Sequence, residues 1–555
     1  VKGSRALMKM LEDKNVDTMF GYPGGQVIPI FDEILESSVR HVLVRHEQCA
    51  AHMADGYARA TGRPGVCLAT SGPGATNLVT GVATAFADSS PMLVLTGQVA
   101  TRSLGLGAFQ EVDAFSLMMP VTKYNYRVLD LNDLPKAMTQ GWNLSLHGRQ
   151  GPIHIDLPVD TMNSEIDESS LNKKFSVKIV PEDLSRIGEA VQWIRTAKRP
   201  IILSGGGVVS SGASAELQKF AEMIRAPVVM PLLGLGTIPA AHPLSLGSVG
   251  MHGKMCSLSA LKESDLIIAV GTRFSDRTHS FHSQMAKDCR IIHIDVDSVE
   301  FGKHNQQSID ILSDAKKALL RMMDGIGKAP EHKDWCTQVK GFKKRCVCDT
   351  DIGSTPIAPQ KIMHEINRII DKDMIITTDV GQNQMWAMHH LKIQRPRQLI
   401  TSGGFGTMGF GLPSALGAKV ACPDKKVMTI TGDGGLLMVI QELATAVAED
   451  IPIVICLLDN GWLGMVKQWQ NLFWNDRYSG TELRSSNPDF VKLAEAFGAK
   501  GMLVERPSEI RDAFRVAFDS DKPFLIDMRI DPDENVLPML PPNPSVPIIK
   551  GRCPF

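Results

Sequence analysis

The sequence predicts an α/β protein built of three doubly wound parallel-sheet domains. Three observations lead there. At 555 residues the chain exceeds what a single hydrophobic core holds. Composition shifts twice: residues 160–185 are polar, acidic and Lys-containing, and residues 325–358 are rich in Gly, Lys, Cys and Pro. Both read as connecting segments. Finally, the first and last thirds alternate β-branched runs with Ala- and Gly-rich helical stretches, as parallel sheets flanked by helices do. The expected domains are 1–165, 185–325 and 358–535, with a tail at 536–555.

Taken in order, Ser4 to Lys14 reads as a first helix. Phe20-Gly21-Tyr22-Pro23-Gly24-Gly25 is a glycine-rich turn after a short strand, and His41–His46 reads as the next strand. Glu47 then opens a small-residue helix through Gln48, Ala50, Ala51, Ala54, Tyr57 and Ala58. By default, a Glu in a first helical turn is a partner for the helix dipole. Thr70-Ser71-Gly72-Pro73-Gly74-Ala75-Thr76-Asn77 is a second strand–turn–helix junction able to present backbone groups to a ligand. In the middle third, Pro200–Leu203 leads into Ser204–Gly207, and Asp265–Gly271 into Thr272–Arg277, followed by Ile291–Asp297. A glycine-rich turn there can hold a pyrophosphate and an acid at a strand end a ribose hydroxyl; the alternative is a purely structural domain. In the last third, Gly404–Gly409 spells GxGxxG between a strand (Gln398 to Thr401) and a helix near Pro413. It lacks a following strand ending in an acid, so it reads as a backbone turn.

Val427–Thr431 and Ile451–Leu458 read as buried strands, with a helix from Leu436 to Glu449 between them. This unit brings Asp433 and Asn460 to the carboxyl ends of neighbouring parallel strands, where open α/β sheets bind ligands. A carboxylate and an amide carbonyl suit Mg²⁺ shared with phosphate. Gly432, Gly434 and Gly435 let the backbone approach a diphosphate, and the helix N-terminus adds partial positive charge. The competing reading is a tight strand–helix turn with a capping Asp.

Bulk properties narrow the field. Net charge is −1, which gives no electrostatic case for nucleic acid or an anionic membrane. Hydrophobic content of 43% and charged content of 21% are those of a globular enzyme. No apolar run reaches membrane-spanning length and no signal peptide opens the chain, so a cytoplasmic setting is expected, or an organelle where a leader has been removed. Of ten cysteines, Cys49, Cys67, Cys256 and Cys456 lie in apolar or helical contexts and read as small core residues. Cys346-Val347-Cys348 is the only close pair, and without a second pair or a His cluster it does not read as a zinc site.

The Gly432-Asp433-Gly434…Asn460 pattern resembles the signature of thiamine diphosphate enzymes, and Phe20–Gly25, Glu47 and Thr70–Asn77, in that order, resemble their pyrimidine-binding domain. Over nearly its whole length the chain is similar to the acetohydroxyacid (acetolactate) synthase catalytic-subunit family. Further segments carrying the likeness are Arg45–Cys49, Ala108–Asp113, Gly250–Gly253, Arg273–Arg277, Val380–Gln382, Gly403–Gly411 and Gly464–Trp469; after Asp531 it is loose.

The resemblance implies a thiamine diphosphate-binding fold with a central Rossmann-like domain, and thiamine diphosphate, Mg²⁺ and FAD as cofactors. It implies that Glu47 holds N1′ of the pyrimidine, that the Gly406 carbonyl bonds the 4′-amino group, and that Met408 enforces the bent cofactor. Tyr22, Pro23, Gly24, Thr70, Pro73 and Asn77 would line the pyrimidine half of the site; Val380, Gly381, Gln382, Asn383, Gly432, Gly434, Gly435, Gly464 and Met465 would line the diphosphate half. Asp433, Asn460 and the carbonyl of Trp462 would hold the metal. Phe109 and Gln110 would line the substrate pocket, and Arg277 and Trp469 would grip and select the second 2-keto acid. Arg149, Gly205, Gly206, Gly207, Arg273, Asp295, Val296 and Asp314 would contact FAD.

The implied activity is decarboxylation of pyruvate and condensation of the two-carbon unit with pyruvate or 2-ketobutyrate, in branched-chain amino acid biosynthesis. The implied assembly is a homodimer or tetramer with a small regulatory subunit. The chain departs from the family at Val159, where Lys is common, at Ser275, where Asp is common, and at Asn383, where His is common. Rival readings are pyruvate oxidase, a FAD-free catabolic acetolactate synthase, a non-catalytic scaffold of the same fold, and a nicotinamide dehydrogenase using the middle domain. The Arg273–Arg277 segment favours the FAD-containing synthase.

Overall fold

The computed structural model describes residues 1–555 except 174, 276–287, 304–305, 328–330, 349, 542–546 and 552–555. The described strands form three six-stranded, wholly parallel sheets. The first holds β1 (Thr18–Gly21), β2 (Arg40–Leu43), β3 (Gly65–Ala69), β4 (Met92–Gln98), β5 (Tyr124–Arg127) and β6 (Pro152–Pro158), in the order 2-1-3-4-6-5. The middle sheet holds β7 (Pro200–Ser204), β8 (Val228–Met230), β9 (Ser245–Ser248), β10 (Leu266–Val270), β11 (Arg290–Asp295) and β12 (Ser308–Leu312), in the order 12-11-10-7-8-9. The last holds β13 (Ile375–Thr378), β14 (Leu399–Thr401), β15 (Val427–Gly432), β16 (Val454–Asp459), β17 (Lys500–Val504) and β18 (Phe524–Arg529), in the order 14-13-15-16-18-17.

The central strands are apolar runs buried on both faces, as parallel strands covered by helices must be; β4, β10 and most of β16 expose nothing. Numbered within each sheet, the first and last share one topology, while the middle has the 3-2-1-4-5-6 order of dinucleotide-binding folds. Strand order reverses between β1 and β3, between β7 and β10, and between β13 and β15. At each reversal the chain leaves for opposite faces of the sheet and a crevice opens at the carboxyl ends.

The first and last sheets share one core, in which Phe20 and Met53 meet Phe410, Leu416 and Leu436. Its centre is the packing of helix Glu47–Thr61 on helix Gly411–Ala421. A Cβ on Gly56 would lie 2.2 Å from the Ser414 carbonyl oxygen, and one on Gly417 would lie 1.9 Å from that of Met53. Only glycine permits this approach.

Two elements differ from expectation. The segment 325–358, which composition marks as a connection, holds helix Lys333–Arg345. Its Trp335, Val339 and Phe342 are buried in one cluster with Cys256, Leu258 and Leu261, and the Trp335 Nε1–H donates to the Pro200 carbonyl at 2.9 Å. The helix expected over Leu436–Glu449 is broken into Asp433–Leu437 and Glu442–Ala448. Between them the backbone closes tighter turns, with Val439 N–H on Leu436 and Glu442 N–H on Val439. The adjacent β-branched Val439 and Ile440 favour a helix less than their neighbours do. Among the described residues no helix is long and apolar enough to cross a membrane.

Candidate active site

The first crevice lies between the loops after β1 and β3. Tyr22, Pro23 and Gly24 follow β1, and the Tyr22 N–H donates to Leu68 at 3.2 Å. A Cβ on Gly24 would lie 2.5 Å from the Thr70 side chain, so the two loops touch because residue 24 has none. Glu47 is the first residue of its helix and is half-buried. Asn77, on the helix that Pro73 opens, donates its Nδ2–H to Glu47 Oε2 at 2.9 Å. Gln110 reaches the same place through backbone: it has φ +58°, and a Cβ on Gly72 would lie 2.7 Å from its carbonyl oxygen. Phe109 beside it is 84% exposed.

The crevice of the last sheet gathers the second group. Asp433 follows β15 and is 1% exposed. The Asn487 Nδ2–H donates to Asp433 Oδ2 at 2.7 Å; burial first, then the negative charge of Asp459, pushes the Asp433 carboxyl up to about 7. Asn460 follows β16; its Oδ1 accepts the Trp462 N–H at 2.9 Å and its Nδ2–H donates to Gln382 Oε1 at 3.3 Å. A Cβ on Gly464 would lie 2.2 Å from that same Gln382 oxygen. Asn383 donates to the Val380 carbonyl at 3.3 Å, its Nδ2 would touch a Cβ on Gly432, and its buried Oδ1 has no protein partner. Met408 Cε lies 3.6 Å from where a Cβ on Gly434 would be. Gly381 and Gly406 have φ of +124° and +71°, a region that favours glycine.

The third crevice opens into a cavity of about 800 Å³. Its walls include Arg149, Gly205, Gly206, Gly207, Arg273, Asp295, Val296 and Asp314, together with Val380, Gly381, Gly406, Met465 and Trp469 from the last third. Residues read separately from the middle and last thirds thus share one enclosure. The glycine turn is dictated by packing: a Cβ on Gly205 or Gly207 would come within 2.1 and 2.6 Å of Gly271 backbone atoms. Arg149 extends in from the first third, held by Ser89 Oγ at 2.9 Å and facing Asp297 and Glu300 at 3.8 and 3.9 Å. Burial pushes the Asp295 carboxyl up to about 6. Asp314 caps helix Ala315–Ile326, accepting the Lys316 N–H at 2.9 Å. The indole Nε1 of Trp469 is buried without a partner.

Glu47 and Asp433 stand in the crevices of different sheets, and neither lines the cavity. Arg277 lies outside the described residues. Sequence reasoning also misses Asp379. This fully buried carboxylate follows β13 and accepts the backbone N–H of Val380 at 2.8 Å, of Gly409 at 3.0 Å and of Gly411 at 3.1 Å. Gly435 packs so close that a Cβ there would lie 2.5 Å from Asp379 Oδ1. An acid one position past a strand at a sheet reversal is the signal that could have found it.

Along these three parallel sheets the chain matches family models of thiamine pyrophosphate enzymes. The N-terminal TPP binding domain matches residues 1–117, the central domain 187–322 and the C-terminal TPP binding domain 379–528. The probable acetolactate synthase large subunits of Methanococcus aeolicus and Methanocaldococcus jannaschii are each 47% identical, over 98% of this chain and 94% of theirs. The acetolactate synthase large subunit of Corynebacterium glutamicum is 43% identical over 100% of this chain and 91% of its own. The chain belongs to the acetolactate synthase large-subunit family of thiamine pyrophosphate enzymes.

Proposed function

We propose that the protein joins two 2-keto acids, releasing CO₂ from pyruvate and adding the remaining two carbons to pyruvate or 2-ketobutyrate. The observation that carries this reading is the placement of Asp433 and Asn460 at the ends of adjacent strands beside a glycine turn, in a chain of this family. The residues present fit thiamine diphosphate and Mg²⁺. The partnerless Asn383 oxygen and the glycines at 381 and 432 leave polar, uncrowded backbone, and a cation would reverse the penalty on the buried Asp433 carboxylate. Bound thiamine diphosphate supplies a nucleophilic carbon and an electron sink for the departing CO₂.

Around it, Asp433, Asn460 and the Trp462 carbonyl would hold Mg²⁺, and Gly381–Asn383, Gly432–Gly435 and Gly464 the diphosphate. Glu47, oriented by Asn77, would accept a hydrogen bond from the pyrimidine ring and favour the tautomer whose 4′ nitrogen takes a proton. Trp469 and Met465 would shape the acceptor pocket, where contact with one extra methyl group discriminates modestly. The 800 Å³ cavity at the middle reversal fits a dinucleotide, and we read it as the FAD site, with Arg149 and Asp295 as its polar contacts.

Glu47 and Asp433 belong to the crevices of different sheets, and we read the complete site as one shared between two copies. Leu106, Phe109, Ile28 and Met438 are exposed apolar side chains available for that contact. The relatives are named large subunits, which supports a small regulatory partner.

Product analysis tests the reading. Purified protein is given pyruvate, thiamine diphosphate and Mg²⁺, with and without FAD, and the products are followed by NMR. FAD-dependent acetolactate is expected. Acetyl phosphate or acetate would move the protein to an oxidase, and acetolactate indifferent to FAD would remove the flavin assignment.

A further inference from the structure

Two cysteines outside the thiamine and flavin regions meet where helix Lys333–Arg345 closes over the middle sheet. Cys256 is the second residue of helix Met255–Glu263 and is 2% exposed. Cys346 follows the last residue of helix Lys333–Arg345 and is half-buried. The Cys346 sulfur accepts the Cys256 backbone N–H at 3.4 Å, and the Cys256 thiol donates to the Leu246 carbonyl at 3.5 Å.

The surroundings make the two sulfurs unequal. Cys346 lies against the first turn of helix Met255–Glu263, whose amides lack helical acceptors, and beside Lys254. The neighbouring Cys256 side chain, then the amides of Cys256 and Met255 and the Lys254 charge, hold the Cys346 thiol down; the neighbouring Cys346 sulfur and burial push the Cys256 thiol up. A part-exposed, acidified thiol seated on the backbone of a buried cysteine has the arrangement of an attacking and resolving pair. Two residues on, Cys348 contacts His389 Nε2 at 3.5 Å, and His389 contacts the His252 carbonyl at 3.2 Å, so the pair adjoins the wall of the 800 Å³ cavity that Met251 and His252 help to form.

We propose that Cys256 and Cys346 are an oxidative modification site that closes to an intramolecular disulfide on exposure to hydrogen peroxide. The Cys346 thiolate attacks one peroxide oxygen; an S–O bond forms, the O–O bond breaks, and the departing hydroxide takes up the proton released by Cys346 as water. The Cys256 sulfur then attacks the Cys346 sulfur, the S–O bond breaks, and the hydroxide leaves with the Cys256 proton as a second water. Two thiols are oxidised to one disulfide and one peroxide is reduced to two waters. The bond joins positions 90 apart in sequence and ties the cavity wall to the segment leading into the last sheet.

The test uses the intact enzyme, treated with a small excess of hydrogen peroxide, quenched with iodoacetamide and digested. The expected product is a Cys256–Cys346 linked peptide that dithiothreitol reverses, retained in Cys348→Ser and lost in Cys346→Ser. Alkylation of both cysteines after peroxide, or pairing of Cys346 with Cys348 instead, would overturn the proposal. Should Cys346→Ser not fold, the unmutated enzyme still decides. At neutral pH iodoacetamide should modify Cys346 about tenfold faster than the similarly exposed Cys336, whose thiol burial pushes up. Equal or slower modification of Cys346 would remove the basis of the proposal.

Discussion

Replacing Asp379 by Asn tests whether that carboxylate holds the turn beneath the candidate cofactor site. Its two oxygens meet three backbone donors: Oδ1 takes Val380, Oδ2 takes Gly411, and Gly409 is shared between them. An asparagine keeps one oxygen, so it can satisfy Gly409 and one other donor. Whichever way it turns, its NH₂ then faces the N–H of the third. An orphaned buried amide costs about 1–3 kcal/mol. At about 2 kcal/mol, local opening becomes roughly 30-fold more frequent. Asp379→Ala, which removes both acceptor oxygens and leaves all three donors unpaired, should cost roughly twice as much or more. The assay is hydrogen exchange of the peptide spanning Gly409–Gly411, with thiamine diphosphate affinity measured on the same protein. Exchange is expected to quicken locally and affinity to fall, because Gly409 and Gly435 lose their common support. Exchange within about threefold of the unmutated protein, with affinity unchanged, would show that the carboxylate merely fills space.

Other outcomes follow from the same structure. Glu47→Gln should abolish turnover yet leave thiamine diphosphate bound, since an amide keeps the shape but not the charge that favours the reactive tautomer; full activity in that variant would sink the mechanism. Asp433→Ala should remove Mg²⁺-dependent cofactor binding, which calorimetry would read as heats no longer responsive to the metal, and unchanged affinity would misplace the site. His52 is fully buried against Phe410, and burial holds its imidazole down at about 3. Its folded value lies below the unfolded 6.5, so its contribution is present above pH 6.5 and is lost as pH falls towards 3. At pH 5 the loss is about 2 kcal/mol. His52→Leu should flatten the decline of the urea midpoint between pH 7 and 5, and an unchanged slope would assign that decline to other groups.

What is legible in the sequence, and what is not, follows how local each feature is. Glu47, Asp433 and Asn460 can be read because each stands at a strand end with glycines or a helix start within a few residues, and the strands announce themselves as apolar runs. Asp379 is just as well placed, but its meaning lies in the amides of Gly409 and Gly411, 30 and 32 positions on. Asn487, the partner of Asp433, is 54 positions away in a loop with no pattern of its own. Composition hides helix Lys333–Arg345 for a different reason. Its basic residues, with three in the last turn, outweigh Trp335, Val339 and Phe342, whose four- and three-residue spacing marks a single buried face. A periodicity count over that window, rather than its charge, would have found the helix. The same helix carries Cys346 to the N-terminus of Met255–Glu263, so two cysteines that look unrelated along the chain acquire a shared chemistry only once that face is buried.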